Sequence, residues 1–179
     1  YTYAMTKRML LQGAKALQKQ YKLNWLCFVP STLYGSNYHD DGRQMHFIFD
    51  LIRKIILGKK YGRKVELWGN GNQKREIIHV KNFIETIFLL LNKKNEIINI
   101  GSKKEYSIKE FAKIISKIVD YDHKNIFYNK KKYVGSKNKK LDISKVKRLV
   151  KNYEKKLINE EAGIKEVIDW FLEKKKIKI

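Results

Sequence analysis

From Tyr3 to about Tyr21 the chain keeps a helical rhythm through Ala4, Met5, Arg8, Leu11, Lys15 and Leu17, and the spacing predicts a helix. A short apolar run comes next, Asn24–Val29, bounded by polar residues and Pro30. It does not alternate, so it reads as a strand of a parallel sheet covered on both faces. Pro30 should end that strand, because Ser31–Gly42 carries Gly35, Asn37, Asp40, Asp41 and Gly42, the chemistry of a loop. Helical spacing returns over Met45–Leu57 and stops at Gly58, which the pattern offers as a C-terminal cap.

Val65–Trp68 and Glu76–Val80 are two short strand candidates around the turn Gly69-Asn70-Gly71-Asn72. Lys81–Leu91 predicts a helix with Asn82 near its start, and Ile97–Ile100 a buried strand closed by Gly101. Ser107 and Glu110 form a capping box, leading into an apolar face of Ile108, Phe111, Ile114, Ile115 and Ile118. Asn125–Tyr128 predicts a strand, and Ser144–Val150 and Glu160–Lys174 predict helices. Strands and helices therefore alternate, with no internal repeat and no Pro/Gly/Ser linker, which gives an α/β class. The lysine-rich stretch 130–140 reads as the mobile loop.

Composition narrows the function classes. The 179 residues hold 40 Lys+Arg against 18 Asp+Glu, a formal charge of +22, and 43% are hydrophobic, enough for a packed core in spite of the charge. A single cysteine, Cys27, permits no internal disulfide and no thiolate cluster, and the four scattered histidines give no tetrahedral metal spacing. A cytoplasmic setting with no metal is the expectation. The longest apolar candidates, Ile55–Leu57 and Ile84–Leu91, fall well short of the roughly 20 residues of a membrane-spanning helix.

The positive charge would favour nucleic acid or anionic surfaces, so a basic nucleic-acid-binding domain is the rival from a different function class. Yet lysines outnumber arginines 34 to 6, and the planar arginine fork dominates specific base and phosphate recognition. The runs Lys130–Lys132, Lys137–Lys140 and Lys174–Lys176 accordingly read as solvated faces or contacts to an anionic substrate, the last at a fraying terminus. The chain opens at Tyr1 in a helical pattern with no strand-rich lead-in, which reads as a fragment beginning inside a domain.

The sharpest chemical signal is Tyr3-Ala4-Met5-Thr6-Lys7. Positions four apart share a helix face, so the phenol and the ammonium can converge. A nearby cation favours the ionised phenol, which suits it as a general acid or base for a carbonyl or alcohol oxygen. The same spacing also occurs on plain helix surfaces, and it acquires meaning only from the motifs downstream of it.

Those motifs are an apolar strand, then Val29-Pro30-Ser31-Thr32-Leu33-Tyr34-Gly35, and later Trp68-Gly69-Asn70-Gly71-Asn72-Gln73-Lys74-Arg75-Glu76-Ile77-Ile78-His79-Val80. In this order they resemble the extended short-chain dehydrogenase/reductase superfamily, the NAD-dependent epimerases and dehydratases, from the catalytic helix onward. Within it the chain is most similar to the GDP-L-fucose synthase family over nearly all its length, including Ser107–Val119 and Lys139-Lys140-Leu141-Asp142. The resemblance implies the C-terminal part of a Rossmann-type parallel sheet plus a small α/β substrate-binding lobe. Residues 1–33 and 81–120 would be the remainder of the NAD(P)-binding domain, and 34–80 and 121–179 the substrate lobe.

It also implies an NAD(P)-dependent sugar-nucleotide epimerase/reductase acting on a 4-keto-6-deoxy nucleotide sugar, a homodimer when full length. Tyr3 would protonate the 4-keto oxygen, and Lys7 would bind the nicotinamide ribose and support the phenol. Pro30, Ser31, Thr32 and Leu33 would lie against the nicotinamide end, at the carboxyl edge of a parallel strand. His46 matches the acid/base of epimerisation and a cofactor neighbour; a 4-ketone acidifies the adjacent C–H bonds, which an imidazole can exchange. Lys54, Trp68 and Arg75 match substrate contacts, Arg75 at the phosphates. His79 reads as structural. A 4-epimerase or 4,6-dehydratase of the same superfamily is the nearer alternative.

Departures from the family pattern bear on the nucleotide more than on the reduction. Gly69-Asn70-Gly71 has Lys74 where a third glycine would stand and leads into a strand, so it is not the dinucleotide loop. The family's Pro-Thr-Asn-Leu-Tyr-Gly-Pro reads Pro30-Ser31-Thr32-Leu33-Tyr34-Gly35-Ser36. A nucleotide-contacting Asp is replaced by Val134. Another 4-keto sugar nucleotide, such as a deoxyheptose, fits these departures, with reduction unaccompanied by epimerisation.

Overall fold

The first helix, α1 (Thr2–Tyr21), coincides with the helical rhythm of the sequence, yet none of its residues is buried. The apolar run after it becomes β1 (Leu26–Pro30), which pairs in parallel with β6 (Glu96–Ile100), Leu26 opposite Glu96 and Pro30 opposite Ile100. This is the parallel ladder that two unalternating runs predict. Cover on both faces is not found: all five residues of β1 are half-buried, because α1 lays no side chain into a core. The computed structural model describes residues 2–39 and 43–179, so Asp40, Asp41 and Gly42 of the predicted loop lie outside the described residues.

β1 ends at Pro30, as the sequence predicts, but the chain does not pass directly into a loop. After Ser31 the chain forms β2 (Thr32–Tyr34), parallel to β5 (Ile77–His79), within a stretch that the sequence presents as loop. Thr-Leu-Tyr is strand-forming, and the turn residues begin only at Gly35. The Ser31 N–H donates to the Ile100 carbonyl and the Thr32 N–H to the Glu76 carbonyl, handing the backbone from one ladder to the next.

Helix α2 (Phe47–Tyr61) runs past the glycine expected to stop it. Gly58 is buried, and a Cβ there would come within 2.6 Å of the Val65 side chain, so this glycine serves packing. Gly62, at φ 61°, takes the left-handed cap instead. Next, β3 (Val65–Trp68) pairs in parallel with β8 (Ile126–Asn129). Strand β4 (Lys74–Arg75) lies between antiparallel β7 (Tyr106–Ser107) and parallel β9 (Asn138–Lys139). The two strand candidates flanking Gly69–Asn72 thus pair with distant partners rather than each other, and the lysine-rich stretch contributes a strand.

Helix α3 (Val80–Leu90) starts under His79, whose Nδ1 accepts from the Lys81 N–H. The capping box of α4 (Ile108–Ile118) is formed in both directions between Ser107 and Glu110. Helices α5 (Ser144–Leu149) and α6 (Glu160–Lys174) complete the chain. Among the described residues no helix is long and apolar enough to cross a membrane.

Two hydrophobic cores result. One gathers Ile48, Ile52 and Ile55 of α2, Phe111 and Ile115 of α4, and Ile164, Ile168 and Phe171 of α6 over β3 and β8. The other gathers Leu90, Ile98, Ile100, Val146 and Tyr153. Strand alternation sends Ile77 to the first and Ile78 to the second, so β5 is the partition between them.

Just before β5, Glu76 is buried. Its Oε1 accepts from the Lys103 N–H and its Oε2 from the Leu141 N–H, both at 2.8 Å. Replacing Glu76 with Ala strands both donors and should lower the unfolding free energy by on the order of 3 kcal/mol. Glu76→Gln, which keeps one acceptor, should lose clearly less. Urea denaturation of the three proteins checks this, and identical midpoints would show that the carboxylate does not hold these segments.

Candidate active site

The N-terminal turn of α1 presents Tyr3 to solvent, 77% exposed, with the Lys7 ammonium 5.5 Å from its ring centroid. Helical i,i+4 geometry accounts for the pairing, so the phenol and its cation lie side by side as the spacing requires. At the carboxyl ends of β1 and β6, Pro30 leads into Ser31, which is buried, while Thr32 and Leu33 are half-buried. The Ser31 Oγ has no hydrogen-bond partner among the described residues. A buried, unsatisfied hydroxyl is costly, and its position just past a parallel strand pair is where α/β sheets take ligands. These residues suit the nicotinamide end of a dinucleotide.

His46 is the residue preceding α2 and is exposed. Its backbone N–H donates to the Tyr38 Oη at 3.1 Å, and the two rings lie 6.0 Å apart. Tyr38 is itself fixed by stacking on Phe49, the ring planes nearly parallel and the centroids 3.7 Å apart. The imidazole therefore stands on a braced helix start. Met45 and Phe47, its neighbours on either side, line a sizeable cavity.

That cavity holds about 700 Å³. Lys54 and Trp68 both line it, so the structure brings together two of the three substrate residues that the resemblance implies. Trp68 ends β3 with its indole half exposed, and the Lys132 ammonium lies 5.7 Å from the ring. Leu51, Leu67, Phe171 and Ile177 give an apolar floor. Three cations join Lys54: Arg43, Arg53 and Lys175. Their carboxylate counterpart in the lining is Asp50, whose Oδ1 accepts from Arg53 at 2.9 Å and whose Oδ2 meets Lys54 at 2.8 Å.

Two polar atoms of the lining, Arg53 Nε and Gln73 Oε1, are buried without a partner among the described residues. The Gln73 amide nitrogen donates to the Trp68 carbonyl, which can only accept, and this fixes the free oxygen. A cation-rich, aromatic-edged pocket with an unsatisfied donor and acceptor is chemically matched to an anion carrying a ring.

Arg75 is placed differently. Its Nη1 donates to the carbonyls of Lys74 and Ser136 at 2.7 and 2.8 Å, and it does not line the cavity. Burial pulls the guanidinium pKa down from its ordinary value. Tyr3 and Lys7 also stand outside the lining. Arg53 and Lys175 are wall residues that the sequence does not single out. Arg53 has a local signal, a cation within the apolar run Leu51–Leu57. Lys175 belongs by pattern to a fraying terminus, whereas Ile177 packs on the first core and keeps Lys175 at the wall.

His79 is structural, in agreement with the sequence: buried, capping α3 through Nδ1, and directing Nε2 toward Glu166 at 3.4 Å.

Residues 1–101 match the NAD dependent epimerase/dehydratase family. The chain is 32% identical over 152 residues to GDP-L-colitose synthase of Yersinia pseudotuberculosis, covering 82% of this chain and 48% of that protein. It is 28% identical over 173 residues to GDP-L-fucose synthase 1 of Arabidopsis thaliana, covering 95% of this chain and 52% of that protein. The chain thus spans about half the length of the curated relatives it matches. Among solved structures, a GDP-L-fucose synthetase from Naegleria fowleri bound to NADP superposes with a TM-score of 0.88 at 21% identity, over 97% of this chain and 56% of that one. That likeness gives the fold.

The wall chemistry carries a pH signature. Partial burial pushes the Asp50 carboxyl up, but hydrogen bonds from Lys54 and Arg53 and their charges outweigh it, leaving the pKa below the usual carboxylate value. A lowered folded-state pKa stabilises the protein above the unfolded value, near 4, and that contribution disappears as pH falls through the folded value. Asp50→Asn should therefore lower the urea midpoint at neutral pH, with the gap to wild type narrowing as pH falls below the ordinary carboxylate range. A gap that persists undiminished in acid would contradict the pairing.

Proposed function

Because the chain belongs to the NAD dependent epimerase/dehydratase family, we propose that it forms the catalytic-helix and substrate-binding portion of a cytoplasmic, NADP(H)-dependent epimerase/reductase. Its substrate in this reading is a GDP-linked 4-keto-6-deoxy sugar. The carrying observation is the cavity walled by Trp68, Lys54, Arg43, Arg53 and Lys175. It supplies an aromatic edge for a base or sugar ring and a cationic rim for a diphosphate. The names of the colitose and fucose synthases point to GDP as the nucleotide.

Residues 1–33 and 81–120 carry the dinucleotide end in this proposal, and 34–80 and 121–179 the sugar-nucleotide end. Tyr3, Lys7, the Pro30–Leu33 segment and His46 would hold the nicotinamide half, which when bound supplies hydride to the ketone carbon. The Tyr3 phenol hydrogen-bonds the keto oxygen and gives up its proton as charge develops there. Lys7, beside the ring, stabilises the negative charge left on the phenol oxygen. His46, between the lining residues Met45 and Phe47 in sequence, exchanges protons at the carbons flanking the ketone, which the carbonyl acidifies. Arg75 would take the phosphates in this reading from outside the described lining, its guanidinium held by the Ser136 carbonyl. A homodimer is supported by the exposed apolar Met9, Leu10 and Leu17 of α1.

In the intact enzyme, Tyr3→Phe should slow NADPH oxidation with a GDP-4-keto-6-deoxy sugar by about a hundredfold or more. Turnover within a few-fold of wild type would sink the assignment. His46→Gln should abolish solvent-deuterium uptake beside the ketone while leaving part of the reduction. Mass spectrometry of the product reads this directly, and undiminished exchange would remove His46 from epimerisation.

A further inference from the structure

Helix α6 closes on a turn that the sequence does not mark with glycine. The Lys175 N–H donates to the Phe171 carbonyl at 3.1 Å, and the Ile177 N–H reaches back to the Leu172 carbonyl at 2.9 Å. Between them Lys176 takes the left-handed conformation, φ 50°. The backward bond from Ile177 is that of a Schellman closure, built on a lysine where glycine would be relaxed. Ile177 makes it worthwhile by folding back onto the first core, beside Phe171. Phe171, Lys175 and Ile177 then form one wall of the 700 Å³ cavity.

Of the run Lys174–Lys176, Lys175 is the member that lines the cavity. Lys174 lies with its ammonium 5.0 Å from the Trp170 ring centroid. Any lysine of the run can meet the negative end of the α6 dipole, so that role does not require the wall position of Lys175. On α2, Asp50 is shared by Arg53 and Lys54. Among the described lining residues, Arg43, Arg53, Lys54 and Lys175 stand with one carboxylate, Asp50, around a partly apolar space, and cations gathered in this way suit a multiply charged anion.

We propose that Lys175, set in the wall by the turn at Lys176, contacts the phosphates of the bound nucleotide. The proposal rests on the reading of the cavity as a nucleotide-sugar site and adds to it a specific contact from the segment after α6. Its role is binding and positioning: it adds a contact to the diphosphate from the end of α6 to those that Arg53 and Lys54 supply from α2.

Calorimetric titration of the intact protein with GDP, and separately with guanosine, tests it. Lys175→Gln should weaken GDP about tenfold, leave guanosine essentially unchanged, and flatten the salt dependence of GDP binding. Lys175→Arg should restore most of the GDP affinity. Equal weakening of both ligands, or unchanged GDP binding, would reduce Lys175 to a helix-end charge and overturn the proposal. Failure of the wild-type protein to bind GDP would bring down the nucleotide-sugar reading along with it, whereas GDP binding indifferent to Lys175→Gln would bring down the contact while leaving that reading standing.

Discussion

A buried carboxylate holds the two ladders and the two cores in register. Glu76 accepts from the backbone on the far side of β6, at Lys103, and from the segment entering α5, at Leu141. Its own N–H donates to the Lys139 carbonyl and its carbonyl accepts from Thr32. An ionised side chain out of water is costly unless its oxygens are satisfied, so the segments that satisfy it are fixed where they are needed. Gly101 belongs to the same arrangement, because a Cβ there would collide with Oε1 of Glu76. The Ser31–Leu33 segment and the Arg75 strand both depart from this point. The placement of both segments is thus referred to one buried residue.

Local chemistry makes much of the fold legible. The capping box at Ser107 and Glu110, the period of α1 and the bounds of α6 are written within a few turns of chain, and the structure reproduces them. Strand partners are not written there. β3 and β5 flank a glycine-rich turn, and each finds a parallel partner far away in the chain, β8 and β2. Gly58 and Gly62 show the same limit on a smaller scale. Both are glycines near a helix end, and what distinguishes them is the Val65 side chain packed on the first, a contact across the fold.

The site divides in a similar way. The Tyr3–Lys7 pair is a matter of helical spacing, and Lys54 and Trp68 are reached through motif order. Arg53 and Lys175 enter the cavity wall for reasons that lie elsewhere: α2 packs over the first core with Arg53 bonded to Asp50, and Ile177 brings the end of α6 back onto that core. A lysine run has no local feature that separates a wall residue from a solvated one. Only the apolar Ile177 after it hints that the chain returns to the interior.

The cavity lining runs from Arg43 through Trp68 and Ile108 to Ile177, so its walls come from segments more than a hundred residues apart in the chain. Such a space exists only when α2, β3, α4 and α6 are docked together, and it is lost when any one of them detaches. An occupant would act as a clasp across the first core. By mass action it would suppress the partial openings that expose Phe171 and Ile164, so protease resistance and amide-exchange protection at α6 should track ligand concentration even though that helix contributes only one wall.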